Sequence, residues 1–177
     1  DVYKRQHALG ANTTGTNNVA MGANALEANT TANNNTAVGR SSLGSNTTGT
    51  KNTAVGQGSL SSNTTADNNT AMGVDALNAN TTGTGNDSFG STALTSNTTG
   101  SYNVALGFQS LYNNTTSSNS VAVGHAALFT NTGGNNTSMG YEALKANTTA
   151  SNNTAVGHRS LYSVTTASMS TALGYNA

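Results

Sequence analysis

The apolar and polar positions of this chain keep a fixed beat. Glycine recurs at Gly22, Gly39, Gly56, Gly73, Gly90, Gly107, Gly124, Gly140, Gly157 and Gly174, each 17 residues after the last except for one step of 16. Leucine follows four residues later at Leu26, Leu43, Leu60, Leu77, Leu94, Leu111, Leu128, Leu144 and Leu161, with Leu9 closing an earlier copy. A large apolar residue precedes each glycine: Met21, Val38, Val55, Met72, Phe89, Leu106, Val123, Met139, Val156 and Leu173. The residue before that is always Ala or Ser. The unit reads N-T-A-V-G-x-x-A/S-L-x-x-N-T-T-G-x-x, and such self-similarity has to be recognised before any other signal is read.

Seventeen residues are too few for a helix pair, and the 3.6-residue apolar spacing of a helix is absent. What remains is an all-β fold, a parallel β-solenoid or β-roll of about ten 17-residue coils. Thr-Ala-Val-Gly predicts one short strand per coil, the Ala/Ser-Leu pair predicts a second, and Gly and Asn supply turns with positive φ. Alternate side chains of a strand face opposite ways. The larger row is therefore expected to point inward, giving a predicted core of Val38, Val55, Met72, Phe89, Leu106, Val123, Met139 and Val156 beside Leu43, Leu60, Leu77, Leu94, Leu111, Leu128, Leu144 and Leu161. The small row then lies on the outer face, where a neighbouring chain could approach. At roughly 4.8 Å per coil the array makes a rod about 50 Å long.

Composition narrows the choice. Only 34% of the chain is hydrophobic, 7% is charged, the formal net charge is zero, and Pro, Cys and Trp are absent. Disorder from low hydrophobicity is usually accompanied by high net charge, so strict register without charge favours a repeat fold. Scattered Arg40, Lys51, Lys145 and Arg159 give no basic cluster for nucleic acid or an anionic membrane. No apolar run approaches the roughly 18 residues of a membrane span, and without cysteine there is no disulfide and no thiolate metal site.

Residues 1–6 break the repeat, and their back-translation looks like a transposase adapter from sequencing libraries, so an adapter-derived scar is expected there. Residues 7–177 are expected to be a repeat array cut at both ends of a longer protein.

The segments Asn35 to Ser42, Asn52 to Ser59 and Asn153 to Ser160 resemble the head repeats of YadA-type trimeric autotransporter adhesins, N-S-V-A-I-G-x-x-S/A. With its Asn-Thr-Thr-Gly segment the full unit also resembles arrays in tail fibres that end in an endosialidase-type chaperone domain. The resemblance implies a left-handed roll, homotrimeric assembly, and a cell-surface or virion fibre that adheres to host cells or glycans. It transfers no catalytic residue.

Three side-chain patterns stand out as candidate sites. Asn12, Asn29, Asn46, Asn63, Asn80, Asn97, Asn114 and Asn147 head Asn-Thr-Thr sequons, and with Asn131 they form a row broken only by Val164. It reads either as an amide ladder at a turn or as a set of glycosylation sites. Were the segment extended, Asn46 and Thr48 would share a face with their equivalents, which is the basis of an ice-binding reading. Finally, Phe108, His125, Tyr141, His158 and Tyr175 follow the glycine in the late copies. They read as a cross-coil aromatic stack or as a strip that packs against sugar rings. His125 and His158 are two copies apart, too far for one metal ion. No nucleophile with a base, paired carboxylates or phosphate loop recurs, so catalysis, metal and cofactor are not expected. The functional expectation is a structural, adhesive segment of an extracellular fibre, with a self-assembling filament as its alternative and an ice-binding solenoid third.

Overall fold

In the computed structural model, which describes residues 7–177, the chain is a single parallel β-solenoid; the adapter-like segment 1–6 lies outside the described residues. Ten strands of three residues each pair in sequence order: β1 (Val19–Met21), β2 (Thr36–Val38), β3 (Thr53–Val55), β4 (Thr70–Met72), β5 (Asp87–Phe89), β6 (Val104–Leu106), β7 (Val121–Val123), β8 (Thr137–Met139), β9 (Thr154–Val156) and β10 (Thr171–Leu173). The register is one coil per step, so Ala37 faces Ala54 and Val38 faces Val55. Thr, Val and Phe suit a pleated surface, and three residues per strand suffice because β2 to β9 are each paired on both sides.

Only one strand forms per coil. The expected second strand at Ala/Ser-Leu is a turn, since Leu26, Leu43, Leu60, Leu77, Leu94, Leu111, Leu128, Leu144 and Leu161 all have φ between 48° and 53°. A leucine in the left-handed region costs about 1–2 kcal/mol. The return is complete burial of its side chain: Leu26 to Leu144 in this row are 0% exposed and form the apolar centre.

The strand parity is the reverse of the expectation. Ala37, Ala54, Ala71, Ala105, Ala122 and Ala155, with Ser88 and Ser138, are the inward row, each 0% exposed. The large row points out: Met21, Met72, Leu106, Met139 and Leu173 are 41–79% exposed, and Val38, Val55, Phe89, Val123 and Val156 are half-buried on the same face. The cause is the asparagine, replaced by Ser120 and Ser170 in two copies, that precedes each strand. Asn35, Asn52 and Asn69 are themselves buried, and by alternation the residue two positions on must share their side. The Leu row and the asparagines leave space there for a methyl or hydroxymethyl group. Ser88 and Ser138 use it by donating from Oγ to the carbonyls of Ala93 and Ala143.

One backbone constraint holds the coil spacing. A Cβ on Gly39, where φ is +130°, would sit 2.6 Å from the carbonyl carbon of Gly56 in the next coil, so the glycine column admits no side chain. At the opposite extreme of tolerance, Lys51 occupies a left-handed position (φ 58°) that Asn34 and Asn68 hold in the adjacent coils. Gly39→Ala should therefore lower stability by about 3 kcal/mol or more, from strain plus overpacking. Lys51→Gly, which retains the Lys51 N–H bond to Asn33, should raise it by about 0.5 kcal/mol. Thermal unfolding followed by circular dichroism reads both, and the two changes should move the midpoint in opposite directions.

Candidate interaction surfaces

Seven of the eight sequon asparagines stand inside the coil, and Asn12 in the first coil is half-buried. Asn29, Asn46, Asn63, Asn80, Asn97, Asn114 and Asn147 are 0% exposed. Each amide nitrogen from Asn29 to Asn114 divides its two hydrogens the same way. Asn63 Nδ2 donates to the Ala66 carbonyl (3.0 Å) and to Asn46 Oδ1 of the preceding coil (2.8 Å), and Asn80 then donates to Asn63 Oδ1 (3.1 Å). A glycan attached to such a nitrogen would remove one of these bonds and would have no exit, so N-linked glycosylation is incompatible with the packed coil. The shared Asn-Thr face is corrected for the same reason: Asn46 is buried while Thr48 is exposed, leaving a single outward Thr row.

A second, equally regular column escaped the sequence reading. Asn35, Asn52, Asn69, Asn86, Asn103, Asn136 and Asn153 are at most 1% exposed. Asn35 Oδ1 accepts the backbone N–H of Asn52 in the next coil (2.9 Å), and Asn52 Nδ2 donates to the Ala66 carbonyl (2.8 Å). Its signal is present in the sequence, because Asn stands at the head of the strand segment in eight of ten copies, but Asn is equally at home in a turn.

The late aromatic residues form a continuous stack. Ring centroids are 5.6 Å apart for Phe108 and His125, 5.1 Å for His125 and Tyr141, 5.1 Å for Tyr141 and His158, and 5.0 Å for His158 and Tyr175. Tyr112 and Phe129 make a second, shorter stack at 5.1 Å. In such a column each inner ring spends both faces on its neighbours and presents an edge to solvent. That geometry braces successive coils and offers a sugar ring no free face between Phe108 and Tyr175.

Beside the stack lies the one charged cluster among the described residues. Glu142, almost fully buried, accepts from Lys145 Nζ (2.5 Å) and Arg159 Nε (2.8 Å). The Arg159 guanidinium also lies over the rings of Tyr162 (5.2 Å) and Tyr141 (5.9 Å). The Lys145 hydrogen bond, with a smaller contribution from Arg159, holds the Glu142 carboxyl below its ordinary value of 4.5 against the opposing effect of burial. No group of three His, Cys, Asp or Glu residues able to hold a metal occurs among the described residues, and no helix is long and apolar enough to cross a membrane.

Comparison with family models, with curated proteins and with solved structures returns no match. The fold presents several distinct surfaces. The most extensive is the outward face of the ten-stranded sheet, where the large apolar row runs the length of the solenoid, flanked by the Thr or Val that opens nine of the strands and by Asp87 in β5.

Two outcomes test this description. The orphan of the first asparagine column is Asn147 Oδ1, which is buried with no donor, because Val164 stands where the next asparagine belongs. Val164→Asn should supply that donor and raise stability by about 1 kcal/mol, read as a higher unfolding midpoint; an unchanged or lower midpoint would count against the ladder. The Glu142 cluster should show a pH signature. A carboxyl whose folded pKa is depressed contributes stability above its unfolded pKa and loses it as pH falls through the folded one. Acidification from pH 6 through the ordinary carboxylate value near 4.5 and below should therefore destabilise the protein, and Glu142→Gln should flatten that acid limb.

Proposed function

We propose that this chain is a structural, non-catalytic segment of an extracellular fibre, on a cell surface or a virion, that works by associating with further copies of itself. The homotrimer implied by the resemblance to adhesin heads is the first form of that assembly, and a self-assembled filament is the second. The observation that supports the reading is the outward apolar row, Met21, Val38, Val55, Met72, Phe89, Leu106, Val123, Met139, Val156 and Leu173, on one sheet face. Contiguous exposed apolar surface of this kind is rare on monomers and marks interaction sites. A solenoid built from identical steps repeats the same contact at every coil, so a second copy in register gains along its whole length. The inward side is filled by Leu, Ala and Asn, which leaves a coil no interior space to withdraw these residues. Adhesion, if the fibre carries it, falls to the late coils, where the aromatic edges and the Arg159 cluster vary from the early ones.

Sedimentation equilibrium of residues 7–177 distinguishes the forms. A trimer has three times the chain mass over a wide concentration range, whereas a filament grows with concentration. Val55→Thr, Met72→Thr, Leu106→Thr and Met139→Thr together should yield a monomer that retains the β-sheet spectrum. A wild-type chain that remains monomeric at high concentration would refute the proposal.

A further inference from the structure

We infer that the seam between the coil carrying Asn114 and the coil carrying Asn131 is a joint built into the rod, the place where the solenoid opens first and on one side only. The coil from Gly124 to Gly140 is one residue short. The missing residue can be placed. Asn131 Nδ2 donates to the carbonyl of Gly133, two residues on, where the other asparagines of the column reach the third residue, as Asn114 reaches Ser117 and Asn147 reaches Ala150. The outward Thr after Thr132 is therefore the one lost.

The loss strips this seam of both its Asn–Asn and its Thr–Thr bonds; the seam between Asn147 and Val164 also lacks the amide link but keeps both bonds from Thr148 to Thr165. Asn97 to Asn114 is the last amide link before the gap; Asn131 makes no bond to Asn114, whose Oδ1 takes the Ser117 hydroxyl instead. In the coils before and after, the threonine following each asparagine donates both its N–H and its hydroxyl to its counterpart's carbonyl one coil on, as Thr98 does to Thr115 and Thr148 to Thr165. Thr115 makes neither bond to Thr132. The second column is weakened at the same place, because Ser120 replaces asparagine and its Oγ accepts the Asn136 N–H at 3.3 Å, against 2.8–3.0 Å for the other rungs.

Elsewhere on the same two coils the connection is intact. The Val121↔Thr137 strand register is kept. Leu111 and Asn113 donate to Ala127 and Phe129 at 3.0 Å. The stacks of Phe108 on His125 and Tyr112 on Phe129 both cross this seam. The side from Asn114 to Ser117 is thus free to gape while the strand and the rings act as the hinge. In a stacked-coil protein, where each coil contacts only its neighbours, one weak interface sets where the array divides, and a local opening costs less than global unfolding. The device would let a stiff rod bend at a fixed height without losing its fold.

Hydrogen exchange of residues 7–177 tests it. The cross-seam amides on the opening side, Asn135, which donates to the Ser118 carbonyl (3.1 Å), and Asn136, which donates to Ser120 Oγ (3.3 Å), should exchange at least about tenfold faster than their equivalents four coils earlier, Asn68 and Asn69, which donate at 3.1 and 2.9 Å, while Leu111, Asn113 and Val121 at the hinge keep the protection of Leu60, Ser62 and Thr70. Insertion of one Thr between Thr132 and Gly133, combined with Ser120→Asn, should remove the difference. Equal protection of the opening-side amides and their equivalents in the parent chain would overturn the proposal, and so would a repaired, folded variant in which the difference persists. Should the repaired variant not fold, the comparison within the parent chain decides alone.

Discussion

Two columns of buried asparagine side chains meet at one backbone carbonyl in seven of the coils, and the rest of the molecule follows from that meeting. Asn52 and Asn63 both donate to the carbonyl of Ala66, and Asn69 and Asn80 both donate to that of Gly83. Each amide also bonds to its counterpart one coil away, so the interior is cross-linked across the coil and along the axis. A buried amide left without partners costs about 1–3 kcal/mol, which makes the columns cooperative: each rung is stable because the coils above and below complete it. A chain with only 34% hydrophobic residues can be ordered in this way because its interior is largely a hydrogen-bonded lattice, with one leucine per coil as the apolar filling. The same lattice fixes the spacing so closely that the glycine column cannot accept a Cβ.

The outside is determined by the inside. Once the asparagine at the head of the strand is buried, alternation places the alanine inward and the large apolar residue outward. The fold thereby presents its most hydrophobic row to its surroundings. That inversion is the physical basis for proposing self-association, and it locates the contact on the sheet face. The aromatic stack and the Glu142 cluster occupy a different part of the late coils and brace successive turns there. Where the lattice is interrupted, between Asn114 and Asn131, the strand ladder, the stacked rings and the backbone bonds of Leu111, Asn113 and Asn135 carry the connection.

The period, the parallel stacking and the all-β class were legible from spacing, because a coil repeat of 17 residues leaves few alternatives and the glycines mark each turn. The orientation of the strand was not. Val55 is larger and more apolar than Ala54, and a rule that assigns the larger residue to the core works where the core is thick. Here it is thin, and the telling signals were the constancy of the small row and of Asn52 beside it. The turn at the leucines is hidden for a related reason: their burial is evident from the pattern, but a left-handed φ at leucine is unfavourable and only the packed coil makes it worthwhile. Val164, in contrast, was visible as the break in the asparagine row, and the structure gives that break a consequence in the orphaned Asn147 Oδ1.

The inverted strand parity is the claim from which the self-association argument descends, and the absence of native cysteine makes it directly measurable by thiol labelling of Ala54→Cys and Val55→Cys. The account predicts that Ala54→Cys is protected at every protein concentration and reacts only on unfolding, whereas Val55→Cys reacts in the native state, at a rate that rises as the protein is diluted and its assemblies separate. A native Ala54→Cys that labels as fast as the unfolded chain, beside a Val55→Cys protected at all dilutions, would contradict it.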